Sequence, residues 1–197
     1  VDLPGTMRFI ARSVRGELEL TRGNVRTAAL IQRVSLRYAG NWRSILGSGS
    51  QWELYILSMC LVTDVELSPD DAVELDARAV RARATSLLRE ILSDPAPRQR
   101  DIPTLMAFAA AVGLSAVAAE DAGPDRRAVG AELVATALAV GTNQTCRLLS
   151  HDYLRSRTER LDARALAQAE ERIRSLDRGG LVAHAADLAG RLAGEVG

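Results

Sequence analysis

Apolar residues recur at steps of three and four along almost the whole chain, which is the period of one face of an α-helix. Met7, Ile10, Val14 and Leu18 form the first stripe, with Thr6 placed to cap it, and Ile31, Val34, Tyr38, Trp42 and Ile45 form the second. Both predict amphipathic helices. Gly47-Ser48-Gly49-Ser50 ends the second. Residues 52–62 are apolar on every side, as a helix enclosed by others should be. Ser68-Pro69-Asp70-Asp71 is a start signal: a capping serine, a proline at the first helical position and acids in the first turn. The helix it opens turns Val73, Ala77, Val80, Ala84, Leu87 and Ile91 inward and stops before Pro95-Ala96-Pro97.

Asp101 caps a fifth helix, and Gly123-Pro124 separates it from a sixth that begins near Arg126 and runs towards Ser150. Ser156 and Glu159 have capping-box spacing, which places a break in residues 150–156 ahead of a helix holding Leu161, Ala165, Ala169, Ile173 and Leu176. Gly179-Gly180 turns the chain into a last helix carrying Leu181, His184, Ala185, Leu188 and Leu192. Strand-like alternation is confined to residues 17–20 and 62–67. The pattern predicts an all-α fold, a compact bundle of seven or eight helices. Punctuation by Pro and Gly reads as turns between helices, so residues 1–197 form one domain. Met7 reads as a natural start, and the six residues before it are set aside.

Small residues add a packing expectation. Ala107, Ala111, Ser115 and Ala119 repeat every four residues on the fifth helix, and Ala131, Ala135 and Ala139 do so on the sixth. Ridges of small side chains let backbones approach closely, so these helices are expected to form an Ala-rich, closely packed central antiparallel hairpin. One short echo, Leu75-Asp76-Ala77-Arg78-Ala79 and Leu161-Asp162-Ala163-Arg164-Ala165, is too brief in so Ala- and Arg-rich a chain to imply duplication.

Composition narrows the function classes. With 25 basic and 25 acidic residues the formal charge is +0, so nucleic acid is disfavoured as a partner, because phosphate neutralisation needs a basic excess. Every basic residue other than the two histidines is Arg, which with abundant Ala reads as a GC-rich bacterial genome. Cys60 and Cys146 are the only cysteines and fit a reducing, cytoplasmic setting without disulfides. No signal-peptide pattern opens the chain. The uncharged residues 102–119 contain Pro103 and lack basic flanks, and they read as a buried helix and not as a membrane span.

Candidate sites are few. Arg22, Arg26, Arg33 and Arg37 fall within about 60° on a helical wheel if the chain there is one continuous helix, forming a possible basic contact face. Trp42, Trp52 and Tyr55, with Tyr38, gather the scarce aromatics, and with Asn143 and Arg147 they could line an apolar pocket between helices. Glu132, Thr136, Asn143, Arg147 and Ser150 draw a polar line along the sixth helix, expected to be its solvent side. Asp70, Asp71 and Glu74 have the spacing of a magnesium–diphosphate motif, but acids are what a helix start requires. Cys146 followed by His151-Asp152 suggests a thiol–imidazole set, although five residues is about 140° around a helix. His184 on an apolar face reads as a core or interface histidine. Two histidines and two distant cysteines leave no metal spacing, and no cofactor motif is present.

No transferable catalytic constellation emerges, so whether the chain is an enzyme stays open. The leading expectation is a small cytoplasmic all-α protein acting through helix-mediated contact, with itself as a homo-oligomer or with another protein. The interacting surface would be the Ala-rich ridge or the Arg-lined N-terminal helices, with no membrane partner. The alternative is an all-α enzyme or small-molecule-binding protein of specialised metabolism, with an apolar ligand between helices.

Overall fold

A computed structural model describes residues 5–39, 49–67, 77–93, 101–144 and 146–194. Among them the chain is helical with no strand. The helices are α1 (Gly5–Thr21), α2 (Val25–Ala39), α3 (Gly49–Glu66), α4 (Ala77–Ser93), α5 (Ile102–Ala118), α6 (Pro124–Val140), α7 (His151–Ile173) and α8 (Arg178–Gly194), with one 3-10 turn at Arg147–Leu149 before α7. Both strand-like alternations lie within helices or at the end of one. The predicted start at Ser68-Pro69-Asp70-Asp71 and the acids through Glu74 lie outside the described residues, as do Trp42 and Ile45.

The uncharged α5 is the centre of the molecule. Its residues 105–117 are all buried, and it packs against α3, α4, α6 and α7. Asp101 caps it as expected, accepting the Thr104 N–H at 3.3 Å and the Thr104 hydroxyl at 2.5 Å. The α5–α6 pair is a close antiparallel hairpin, but the tightest point is not on the alanine ridges. A Cβ on Gly113 would stand 2.6 Å from the Gly130 carbonyl oxygen, and one on Gly130 would stand 2.8 Å from that of Gly113. Ala111 and Ser115 lie about 160° around α5 from Gly113, so their row is buried on a different side of the helix. Ala139 is exposed.

Helix boundaries differ from expectation where a backbone feature outweighs periodicity. The Arg22–Arg37 stretch is two helices. Gly23, at φ +83°, ends α1 in a left-handed cap, with its N–H bonded to Leu20 O at 3.0 Å and the Asn24 N–H to Glu19 O at 2.9 Å. Gly141, at φ +103°, ends α6 well before Ser150. The break expected at 150–156 falls earlier, over residues 141–150 with Ser150 extended directly ahead of α7, and a second break follows inside α7. Ser156 is inside α7 and its hydroxyl bonds Tyr153 O, whereas Asp162 leaves helical geometry and its carboxylate accepts the Ala165 N–H at 2.8 Å. Asp162 belongs to the second copy of the five-residue echo, and that copy restarts α7.

Candidate interaction face

On α1 and α2 part of the apolar stripe faces outward, although Ala28 and Ala29 are buried and Leu20 and Leu36 pack on the core. Val14 and Leu18, members of the first apolar stripe, are 50% and 49% exposed, while Ser13 and Gly16 are buried. On α2, Val34 is 38% and Leu30 47% exposed, while Gln32 and Ser35 are buried. The hairpin closes on small and amide side chains: a Gly16 Cβ would meet the Gln32 amide, and Gln32 donates to Ser13 O at 3.4 Å. Apolar side chains are normally the ones withdrawn from water, so an outward stripe on two adjacent helices is informative in a way that isolated exposed leucines such as Leu161 and Leu176 are not.

The basic face is redistributed by the same turn. Arg22, Arg26 and Arg37 are exposed, but Arg33 is 4% exposed and donates to Asp64 of α3 at 2.7 Å, so it belongs to the interior and not to a contact face. Arg81 of α4 lies 3.5 Å from Asp121 in the α5–α6 turn and adds to the field at Asp64. The exposed row of α2 is therefore Arg26, Leu30, Val34 and Arg37. On α1, Arg15 is exposed beside Val14 and Leu18. Both glutamates of α1 are engaged: Glu17 accepts the Arg147 N–H at 2.7 Å, and Glu19 accepts Asn24 at 2.7 Å and Arg22 at 3.4 Å.

The aromatic group is partly assembled. Tyr55 packs edge-on against Trp52 and against Phe108, each at 6.2 Å between ring centres. Arg147 reaches this region through its backbone, while its side chain is exposed. Asn143 sits at the start of α5, donating to Thr104 Oγ1 at 2.8 Å, with its N–H on Pro103 O. The residue joining α1 to this region is Glu17, whose partner is 130 residues away and leaves no local signal. Cys146 packs on Met59 at 3.7 Å, and burial, with Glu17 close by, pushes its thiol up to about 12. A neutral thiol there has no nucleophilic thiolate at ordinary pH. Burial likewise holds Cys60 up at about 12.

The polar line of the sixth helix does not face water at its start, and its later members lie beyond the helix. Thr136 is fully buried, its hydroxyl on Glu132 O, and the Glu132 carboxylate ties α6 to α7 and α8. Arg172 Nε donates to it at 2.6 Å, and His184 lies at 2.7 Å through Nε2, which must carry the proton. Burial alone would raise Glu132, but these bonds outweigh it and hold the carboxyl below its ordinary value. A depressed carboxyl contributes stability above its unfolded value of 4.5 that is lost as pH falls through the folded value. Glu132→Gln should flatten the acid limb of a stability–pH curve by about 0.5–1 kcal/mol, since Arg172 is partly in solvent. Urea midpoints from about pH 3 to 7 measure it, and an unchanged limb would remove the carboxylate from this role.

Elsewhere an open cleft of about 490 Å³ lies between the start of α6 and the break in α7, lined by Pro124, Arg127, Asp162, Arg164 and Gln168. Among the described residues no group of three or more His, Cys, Asp or Glu side chains is placed to hold a metal, and no helix is long and apolar enough to cross a membrane. No protein-family model, curated protein or solved structure matches the chain.

Proposed function

We propose that this is a small cytoplasmic protein that works by helix-mediated contact with a protein partner, either a second copy or a different chain, and that the α1–α2 hairpin is the contacting element. The observation carrying this reading is the apolar outer side of the hairpin: Val14, Leu18, Leu30 and Val34 are exposed on adjacent helices, while Ser13, Gln32 and Ser35 are buried. Exposed apolar area of this kind gains free energy when covered, at roughly 25 cal/mol per Å² before the costs of association. The alanine ridges are consumed within the bundle apart from exposed Ala139. Free thiols at Cys60 and Cys146 support the cytoplasmic setting.

Site-specific photocrosslinking tests the reading. A photoreactive residue at Leu30 should give a discrete product in cells, either of doubled mass or of one added protein, and the same group at exposed Ala167 of α7 should not. Val34→Asp should abolish the product while changing stability by no more than about 0.5 kcal/mol, as for other surface substitutions. Equal labelling at both positions, or none at Leu30, would dismiss the hairpin as the contact.

A further inference from the structure

We propose that the partner of the α1–α2 face is an acidic amphipathic helix whose apolar residues seat on Leu30 and Val34 and whose carboxylates meet Arg26 and Arg37. The proposal rests on the reading that this face contacts protein, and it adds the chemistry of what is contacted. Arg26, Leu30, Val34 and Arg37 follow one another at steps of four, four and three, so they form one exposed row on α2. Two cations bracket two apolar side chains, and eleven residues of helix put the cations about 16 Å apart. On α1, Arg15 stands beside the exposed Val14 and Leu18.

Charge decides between occupants. Glu17 and Glu19 are the acids of the hairpin, and each is engaged by donors of this chain. Arg15, Arg26 and Arg37 make no hydrogen bond or ion pair among the described residues. Arg26 also stands in the first turn of α2, which holds no acid, and the helix dipole there disfavours a cation. A carboxylate arriving from outside would relieve it. A second copy docking through this same face would set arginine against arginine. An anionic membrane surface would also meet these cations, and vesicle binding separates it from a peptide.

Three designed helical peptides test this, sharing one pair of leucines four residues apart and differing in the flanking positions: Glu, Gln or Lys. Fluorescence anisotropy should show the Glu peptide binding about tenfold tighter than the Gln peptide, the scale of a few exposed ion pairs together. The Lys peptide should bind more weakly than either. The Glu preference should shrink between about 50 and 300 mM salt as those pairs are screened. Arg26→Glu combined with Arg37→Glu should invert the order, favouring Lys. Equal binding of Glu and Gln peptides would overturn the acidic partner while leaving an apolar contact face standing. Co-sedimentation with phosphatidylcholine–phosphatidylglycerol vesicles, with no peptide discriminated, would overturn it in favour of a lipid surface. Failure of the crosslink at Leu30 is a separate result and strikes the contact face itself.

Discussion

Gly113→Ala should destabilise the protein by about 1–3 kcal/mol, the cost of overpacking a close-fitted interior, and lower its thermal midpoint by roughly 2–4 °C per kcal/mol for a chain of this size. The direction is opposite to helix propensity, which favours Ala over Gly by about 1 kcal/mol within a helix. What reverses it is backbone proximity. The added methyl would sit 2.6 Å from the Gly130 carbonyl oxygen and 3.1 Å from the Val134 nitrogen, and backbone atoms can yield only if α6 shifts as a body. Gly130→Ala meets the reciprocal obstacle, at 2.8 Å from the Gly113 oxygen, so it should behave alike. Combining the two should cost less than their sum, because one shift of α6 relieves both. Gly190→Ala in α8 is the control: nothing lies within 4 Å of the place its new methyl would occupy, and the propensity gain should appear as a stabilisation of about 0.5–1 kcal/mol. Denaturant melts of the four variants check the argument. If Gly113→Ala and Gly190→Ala moved in the same direction, the close crossing of α5 and α6 would be wrong.

That crossing shows which parts of the structure were legible in the chain and which were not. The class of fold was legible because helical periodicity is local: each stripe declares itself within a dozen residues. The closeness of α5 and α6 was legible too, from the density of small residues. Where they touch was not, since Gly113 and Gly130 become neighbours only once the crossing point is known, and alanines at regular spacing drew attention to another side of α5. The basic face is divided by a local signal. Arg22-Gly23-Asn24 is a helix-ending signal, and reading it would have divided the four arginines between two helices. Even so, nothing near Arg33 announces Asp64, 31 residues away. An apolar stripe does not say whose surface will cover it, so the outward placement of Val14, Leu18 and Val34 has no signal in the pattern. In this chain Ser13, Gly16, Gln32 and Ser35 share the interior side with Ala28 and Ala29, and Val14, Leu18, Leu30 and Val34 stay outside.

Arg33→Met should cost about 3–5 kcal/mol at neutral pH, as expected when one member of a buried ion pair is removed. The Arg33 and Asp64 side chains are 5% and 16% exposed, and Asp64 Oδ2 is buried without a hydrogen bond. Burial is the largest influence on Asp64 and pushes its carboxyl above the ordinary 3.8, while Arg33, and behind it Arg81, pull it back. A raised carboxyl contributes stability that is complete below its unfolded value and disappears as pH rises through the folded value. At neutral pH the ionised Asp64 is therefore a cost that Arg33 offsets. Without Arg33 the folded value should climb further, and the variant should regain part of its loss on acidification through the range above 3.8, as Asp64 takes up a proton and no longer needs a counter-charge. The double variant Arg33→Met with Asp64→Leu should recover most of the neutral-pH loss, because no buried charge is left unpaired. Urea midpoints of the two variants at about pH 5 and pH 7, the range where carboxylate and histidine linkage is read, separate the alternatives. A single variant as stable as the unmodified chain at both values would mean that water reaches Asp64, and that α2 is held to α3 by apolar packing such as that of Leu36.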